Sequence, residues 1–424
     1  MTPPPRRVVV IGGGFGGLEV CKRLACANKR GEIALTLIDK ENFFQFNPLM
    51  PEVAVGAVET RHIVYPLRKF CRPRRIRFLR NKVRSIDSDK RILHLHNDID
   101  VEWDELVVAV GATTNFFRIP GAVEHSFVFK TLMDAIRLRA HVIEMWELAD
   151  QATDPAVRRR LLIFAVAGGG ITGVEVCSEL THMFRTTMAR LYTNVPQSLV
   201  NVQLIEAADR LLPGLSQSHS RVAEQHLRSI GVNVVLNRKI VRVEDDRVHT
   251  DDGAITPANT LIWTTGVRGQ ELESPWPWPV GRGGRLRVDE HCRVAPGVWA
   301  IGDVAGDTPQ VAQSAIQMGR VVAANVLAEK KNEPLATFHY KDIGYFVGLG
   351  KHSTLAQVGG IPIAGWFAFY LWALVYMVKM VGFQKQLEVA FDMIKMFFVD
   401  HDTSEIHDRR RMLRPQDLEP DLTG

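Results

Sequence analysis

The sequence predicts an α/β protein built from two dinucleotide-binding units and a C-terminal helical segment. Three observations carry this. A glycine-rich motif occurs twice, 156 residues apart. Each copy follows a short apolar run and leads into a helical pattern. Each unit then reaches a second apolar run that ends in an acid.

The first unit opens at Val8 to Ile11, a run of β-branched residues that reads as a buried parallel strand. Gly12-Gly-Gly-Phe-Gly-Gly-Leu-Glu-Val-Cys-Lys-Arg-Leu24 follows, and Ala34 to Asp39 is the second strand with its acid. The second unit repeats the plan with Leu162 to Ala167, Gly168-Gly-Gly-Ile-Thr-Gly-Val-Glu-Val-Cys-Ser-Glu-Leu180 and Val202 to Glu206. Eight of the thirteen motif positions are identical, including Glu19/Glu175 and Cys21/Cys177, so the match is more than a coincidence of glycines. The second unit carries 11 more residues between glycines and acid, which lengthens its helix or loop.

The residue types state the chemistry. Gly12 and Gly168 permit a tight turn, Gly14 and Gly170 let a pyrophosphate approach the backbone, and Gly17 and Gly173 let helix and strand pack closely. The helix N-terminus supplies free N–H groups and partial positive charge to the phosphates. Asp39 and Glu206 are the expected acceptors for ribose hydroxyls and would repel a 2′-phosphate, so both sites favour an unphosphorylated ribose. Lys40 follows Asp39 and joins the candidate cofactor-binding residues. Arg210, near Glu206, would soften that discrimination at the second site.

Composition excludes several alternatives. Lys+Arg exceeds Asp+Glu by only five, which gives no reason to expect a nucleic-acid partner. The five cysteines form no CxxC and no metal-ligand spacing, so a disulfide framework or a metal site is not expected. The N-terminus runs straight into a strand, and no secretion signal is read there. Cys21 and Cys177, at equivalent helix positions, read as small packing residues.

Further segments carry a resemblance. Leu106-Val-Val-Ala-Val-Gly111-Ala-Thr113, Leu261-Ile-Trp-Thr-Thr-Gly266-Val267 and Val298-Trp-Ala-Ile-Gly302-Asp303-Val304 resemble the segments that close the two units and hold the flavin ribitol in two-dinucleotide-binding flavoproteins. Within that superfamily, Asn42 to Gly56, Thr131 to Arg137 and Ala312-Gln-Ser-Ala-Ile-Gln317 resemble type II NADH dehydrogenases, from about Val8 to Phe398. The resemblance implies two Rossmann-like domains, with non-covalent FAD in the first and NADH as substrate of the second. Hydride would pass to the flavin, and electrons on to a membrane quinone, without proton pumping. It implies domain boundaries at 1–125 and 286–335 for the FAD domain, 126–285 for the NADH domain, and 336–424 for a membrane-associating region with a polar tail.

Glu175, Gln313 and Gln317 are the implied catalytic residues. Gln313 and Gln317 are four apart and share a helix face, able to present amides to a quinone or flavin. Glu175 sits in the first turn after the second glycine motif, where negative charge is favourable in itself, and Glu19 repeats it. Sulfide:quinone oxidoreductases share this architecture and need paired cysteines, for which Cys177 and Cys292 are the candidates. A third reading is an NADH-responsive signalling flavoprotein.

From Val358 to Val378 there is no charge, yet glycines and Pro362 crowd the start, leaving a helix from Trp366 to Met380 that is short for a bilayer. A second helix, from Gly382 to about Phe398, carries Lys385, Glu388, Asp392 and Lys395 on one stripe, expected to face water, with an apolar opposite face. The pair reads as a monotopic anchor on the cytoplasmic face of the inner membrane or an organelle equivalent, with a homodimer permitted. Lys379, the only charge between His352 and Lys385, could face the quinone entrance or a lipid phosphate, and its role is left open. Nine Lys/Arg and no acids lie between Arg68 and Arg84, a second candidate lipid contact.

Overall fold

The computed structural model describes residues 4–350, 353–395 and 401–403, which fall into two compact units. The polar tail beyond residue 403, with Arg409 to Arg411, and the end of the last helix near Phe398 lie outside the described residues.

One unit comprises residues 1–45, 64–113 and 267–342. Its sheet runs in the order Arg293–Ala295, Val298–Ala300, Glu105–Val108, Arg6–Ile11, Ile33–Asp39, Arg77–Arg80. The strand Arg6–Ile11 lies in the middle, parallel to both neighbours, with Ile11 opposite Ile38 and Val108. Val8, Val10, Leu37, Val107 and Val108 are fully buried, as a sheet covered on both faces requires. The helix Phe15–Lys29 packs on the helix Ala312–Lys331 through small residues. A Cβ on Gly319 would lie 2.8 Å from the Gly16 carbonyl, so a larger side chain there would drive the helices apart. The ion pair Arg320–Glu19 at 3.1 Å fixes the same contact.

The other unit comprises residues 46–63, 114–266 and 343–424. Its five-stranded sheet, in the order Phe127–Val128, Thr260–Trp263, Ile163–Ala167, Asn201–Ile205, Asn233–Val235, is again parallel, with Ala167 opposite Ile205 and Trp263. Thr131 and Asp134 form a reciprocal capping box that starts the helix Leu132–Gln151. The antiparallel strands Gly344–Gly348, Thr354–Val358 and Ile361–Gly365 form a separate small sheet, which the sequence reading had only as a glycine-rich interruption.

The helices Trp366–Lys379 and Phe383–Lys395 follow and pack on each other. Trp366, Phe367, Tyr370, Leu374 and Val378 stand out from the first, and Phe383, Leu387, Phe391 and Ile394 from the second. Among the described residues no helix is long and apolar enough to cross a membrane. Within the charged stripe of the second helix, Lys385, Glu388 and Asp392 turn to protein partners rather than to water alone. Asp392 is 2% exposed, accepts the N–H of Glu59 at 3.1 Å and pairs with His62. Lys385 donates to the Arg61 carbonyl at 2.8 Å and pairs with Glu388. A buried carboxylate must be hydrogen-bonded, and the loop 59–62 supplies the partners, so the stripe holds the helix to the protein and leaves the apolar side outward.

Candidate functional site

Both glycine turns are built alike. The N–H of Gly12 donates to the Ile38 carbonyl at 2.8 Å, and that of Gly168 to the Ile205 carbonyl at 2.8 Å. Gly12 has φ +103° and Gly168 φ +107°, conformations that side chains with a Cβ rarely adopt, and a Cβ would collide with Ala109 and Thr265 respectively. Gly17 and Gly173 bring their helices against the carbonyls of Gly12 and Gly168, leaving no room for a Cβ.

At Gly14 and Gly170, by contrast, a Cβ would meet nothing within 4 Å. Each of these residues is the N-cap of its helix, without side-chain cap hydrogen bonds. Open backbone at a helix N-terminus fits a pyrophosphate, so FAD and a nicotinamide nucleotide are compatible with the residues present.

Both acids have a structural task in the glycine turns. Asp39 accepts the N–H groups of Gly13 and, at 2.8 Å, Glu41. Glu206 accepts those of Gly169 and, at 2.7 Å, Ala208. Each carboxylate thus clamps the glycine turn to the end of the second strand and keeps further lone pairs for a diol. Burial pushes the Asp39 carboxyl up, against the lowering effect of those two amides. Lys40 is exposed, and its carbonyl accepts from Arg80. Arg210 donates to the carbonyls of Pro213 and Leu215.

Gly111, with φ +75°, and Gly302, with φ +71°, lie in the same unit as the first turn, and Gly266, with φ +70°, lies in the same unit as the second. Asp303 sits in the short turn Gly302–Val304, half-buried. Gln313 and Gln317 lie on the helix that packs on Phe15–Lys29. The Gln317 amide is held reciprocally by Lys341, donating to its carbonyl at 2.8 Å and accepting its N–H at 2.9 Å.

Glu175 differs from the sequence expectation. Its helix starts at Ile171, and neither glycine-motif helix has an acid in its first turn. The helix-dipole explanation therefore weakens, because the effect fades beyond that turn. The repeat positions also diverge. Burial raises the Glu19 carboxyl, but Arg23 and Arg320 more than offset it and hold the group below its usual range. Desolvation pushes Glu175 up to about 8, with the Gly348 amide opposing and Glu179 adding to the rise. Its Oε1 accepts the Gly348 N–H at 3.0 Å.

Sequence reading missed Glu52 and Glu179, which are 5% exposed each. The signals were present: Glu52 interrupts an apolar stretch, and Glu179 follows Glu175 by one helical turn.

The cysteine alternative finds no reactive thiol. Cys177 and Cys292 are both buried, and burial pushes Cys177 far up and Cys292 to about 12, the opposite of an activated thiolate. Cys21 is likewise fully buried in its helix. Among the described residues no His, Cys, Asp and Glu group could hold a metal ion. In the basic segment Arg68 lies over Phe78, Lys69 over Tyr65 and Arg74 over Phe70, so part of that charge is spent on aromatic faces. Lys379 is exposed at the end of its helix.

The pyridine nucleotide-disulphide oxidoreductase family matches residues 6–319, and the NDH2 C-terminal domain matches residues 344–402. The type II NADH:quinone oxidoreductase NdhA of Mycobacterium tuberculosis is 30% identical, over 91% of this chain and 86% of the relative. A probable NADH dehydrogenase of Dictyostelium discoideum is 29% identical, over 94% and 91%. The structure of NDH2 from Plasmodium falciparum in complex with NADH superposes with a TM-score of 0.87 at 20% identity, covering 94% of this chain and 99% of that one, a likeness of fold.

Proposed function

Because the chain belongs to the pyridine nucleotide-disulphide oxidoreductase family, among the type II NADH:quinone oxidoreductases, we propose that it oxidises NADH and reduces a membrane quinone. The observation that carries this reading is the doubled cradle, two glycine turns each clamped by an acid, followed by the NDH2 C-terminal domain.

Gly12, Gly14, Gly17 and Asp39, with Lys40, Gly111, Gly302 and Asp303, would hold FAD. Gly168, Gly170, Gly173, Glu206 and Gly266 would hold NADH. Bound FAD supplies the passage from two-electron hydride chemistry to quinone reduction, for which no side chain is suited. The chain's own part is orientation and electrostatics. Glu206 binds the ribose diol and rejects a 2′-phosphate. Gln313 and Gln317 flank the quinone, with Gln317 fixed in one rotamer by Lys341. Glu175 offers a protonated carboxyl at neutral pH.

The outward apolar side of Trp366–Lys379 and Phe383–Lys395 docks peripherally on the lipid surface where such a quinone resides. That surface is the cytoplasmic face of the inner membrane or its organelle counterpart; a homodimer is compatible with this arrangement. No observation favours sulfide, because neither candidate thiol is placed to ionise. Purified protein given NADH and a short-chain quinone should form one quinol per NADH consumed. Turnover with sulfide in place of NADH would overturn the reading.

A further inference from the structure

The second glycine turn is held from two sides. Glu206 takes the N–H of Gly169, and the Gly169 carbonyl accepts the N–H of Leu212 at 2.7 Å. Leu212 belongs to the loop 207–216, between the strand Asn201–Ile205 and the helix Gln217–Ser229. Side chains close the same contact. Leu211 and Leu212 are buried, and a Cβ on Gly169 would lie 2.7 Å from Leu211 Cδ2.

Leu212 reaches this position in a conformation that it does not favour. Its φ is +49°, rare for a residue with a Cβ, and Pro213 after it favours an extended backbone instead. Such residues persist only where their surroundings over-determine them, and they gather at ligand clamps. Here the surroundings are the Arg210 guanidinium and one turn bond. Arg210 Nη2 donates to the Pro213 carbonyl at 2.7 Å and Nη1 to the Leu215 carbonyl at 3.1 Å. The N–H of Leu215 donates to the Leu212 carbonyl at 2.8 Å. Half-buried Arg210 thus straps the carbonyls on both sides of Gly214 and closes the loop on itself.

The first unit has no counterpart. Gly13 gives its N–H to Asp39, but among the described residues no backbone N–H donates to the Gly13 carbonyl. The difference matches the ligands of the functional reading above, on which this inference rests. A resident FAD would brace the first turn by itself. NADH arrives and leaves in every turnover, so the second turn must keep its shape while empty. A site already held in its binding conformation avoids an ordering cost at each arrival.

We propose that Arg210 is a positioning residue for NADH. It straps the loop whose Leu212 N–H fixes Gly169, and so keeps the open backbone at Gly170 aligned for the nucleotide pyrophosphate. Its guanidinium is committed to the loop rather than to a 2′-phosphate.

The test uses the FAD-loaded protein in anaerobic stopped flow. With Arg210→Met, the NADH concentration for half-maximal flavin bleaching should rise roughly fivefold, while the limiting rate stays within about twofold of wild type. Arg210→Lys, which keeps the charge, should recover part of the loss. The preference for NADH over NADPH should not move. An unchanged half-saturation, or a limiting rate that falls without it, would overturn the proposal. So would a selective loss of NADPH turnover, which would show Arg210 reading a phosphate. A measurement on wild type needs no variant to fold. Without nucleotide, the Leu212 amide should exchange with deuterium far more slowly than that of exposed Gly214. Equal exchange would show an unbraced turn and overturn the proposal. If NADH does not bleach the wild type, the functional reading fails. If it does and Arg210→Met saturates as wild type does, only the strap fails.

Discussion

The backbone N–H of Gly348 donates to Glu175 Oε1 at 3.0 Å, tying the glycine-motif helix of the second unit to the small C-terminal sheet. The equivalent acid of the first unit, Glu19, is instead paired with Arg23 and Arg320. One repeated position has therefore been given a cationic, ionised setting in one unit and a desolvated, protonated one in the other.

That difference sets a pH dependence of stability. Glu175 is raised from 4.5 to about 8, so the folded protein favours the protonated group. The stability this contributes is fully present below the unfolded value and is lost as pH rises through about 8, at no more than about 1.4 kcal/mol per pH unit. Glu175→Gln, neutral at all pH, should shrink the fall in Tm between about pH 5 and about pH 9 by a few degrees. An unchanged fall would show that Glu175 ionises as easily folded as unfolded.

Glu206 clamps Gly169, and under the proposed function its carboxylate also meets the ribose. Glu206→Gln should narrow the kcat/KM preference for NADH over NADPH by roughly tenfold, about 1.4 kcal/mol. Steady-state kinetics with both nucleotides checks this, and an unmoved ratio assigns the choice to another residue.

Gln317 is held by the Lys341 backbone within the motif that resembles the family's quinone site. Gln317→Leu should slow the quinone-driven step severalfold and leave the NADH-driven step within about twofold. Stopped flow separates the two; slowing of the NADH step instead would move Gln317 away from the quinone.

Phe391 and Ile394 are 62% and 57% exposed on the outer side of the last helix. Exposed side chains of this size contribute to lipid binding at about 25 cal/mol per Å² buried. Phe391→Glu with Ile394→Glu should shift the protein to the soluble fraction and lower activity with long-tail quinones. NADH oxidation with a water-soluble acceptor should persist. Retention on vesicles would contradict the docking surface.

Asp392 anchors that same helix through Glu59 and His62. Asp392→Ala strands both partners, and should cost about 1–3 kcal/mol in urea unfolding. A midpoint equal to wild type would show that the clamp contributes nothing.

The doubled cradle was legible because glycine spacing reports a local backbone requirement that tolerates few alternatives. Gly12 and Gly168, Asp39 and Glu206 could be placed from the chain alone. The polar stripe of the last helix was not, since helical spacing groups Lys385, Glu388 and Asp392 on one side without saying whether water or the loop 59–62 covers it. Glu52 and Glu179 escaped for a related reason. Their proximity depends on the packing of two helices more than a hundred residues apart in sequence, and periodicity carries no such information. The small sheet was hidden by its glycines: Gly359 and Gly360, both at positive φ, form a hairpin turn in a stretch whose glycines the sequence shows only as ruling out a helix before Trp366.

The most direct measurement is anaerobic stopped flow of the FAD-loaded protein, mixed first with NADH and then with a quinone, watching flavin absorbance. The account predicts fast bleaching by NADH, full recovery by quinone, and no bleaching by sulfide. Bleaching by sulfide, or bleaching by NADH that quinone does not reverse, would contradict it.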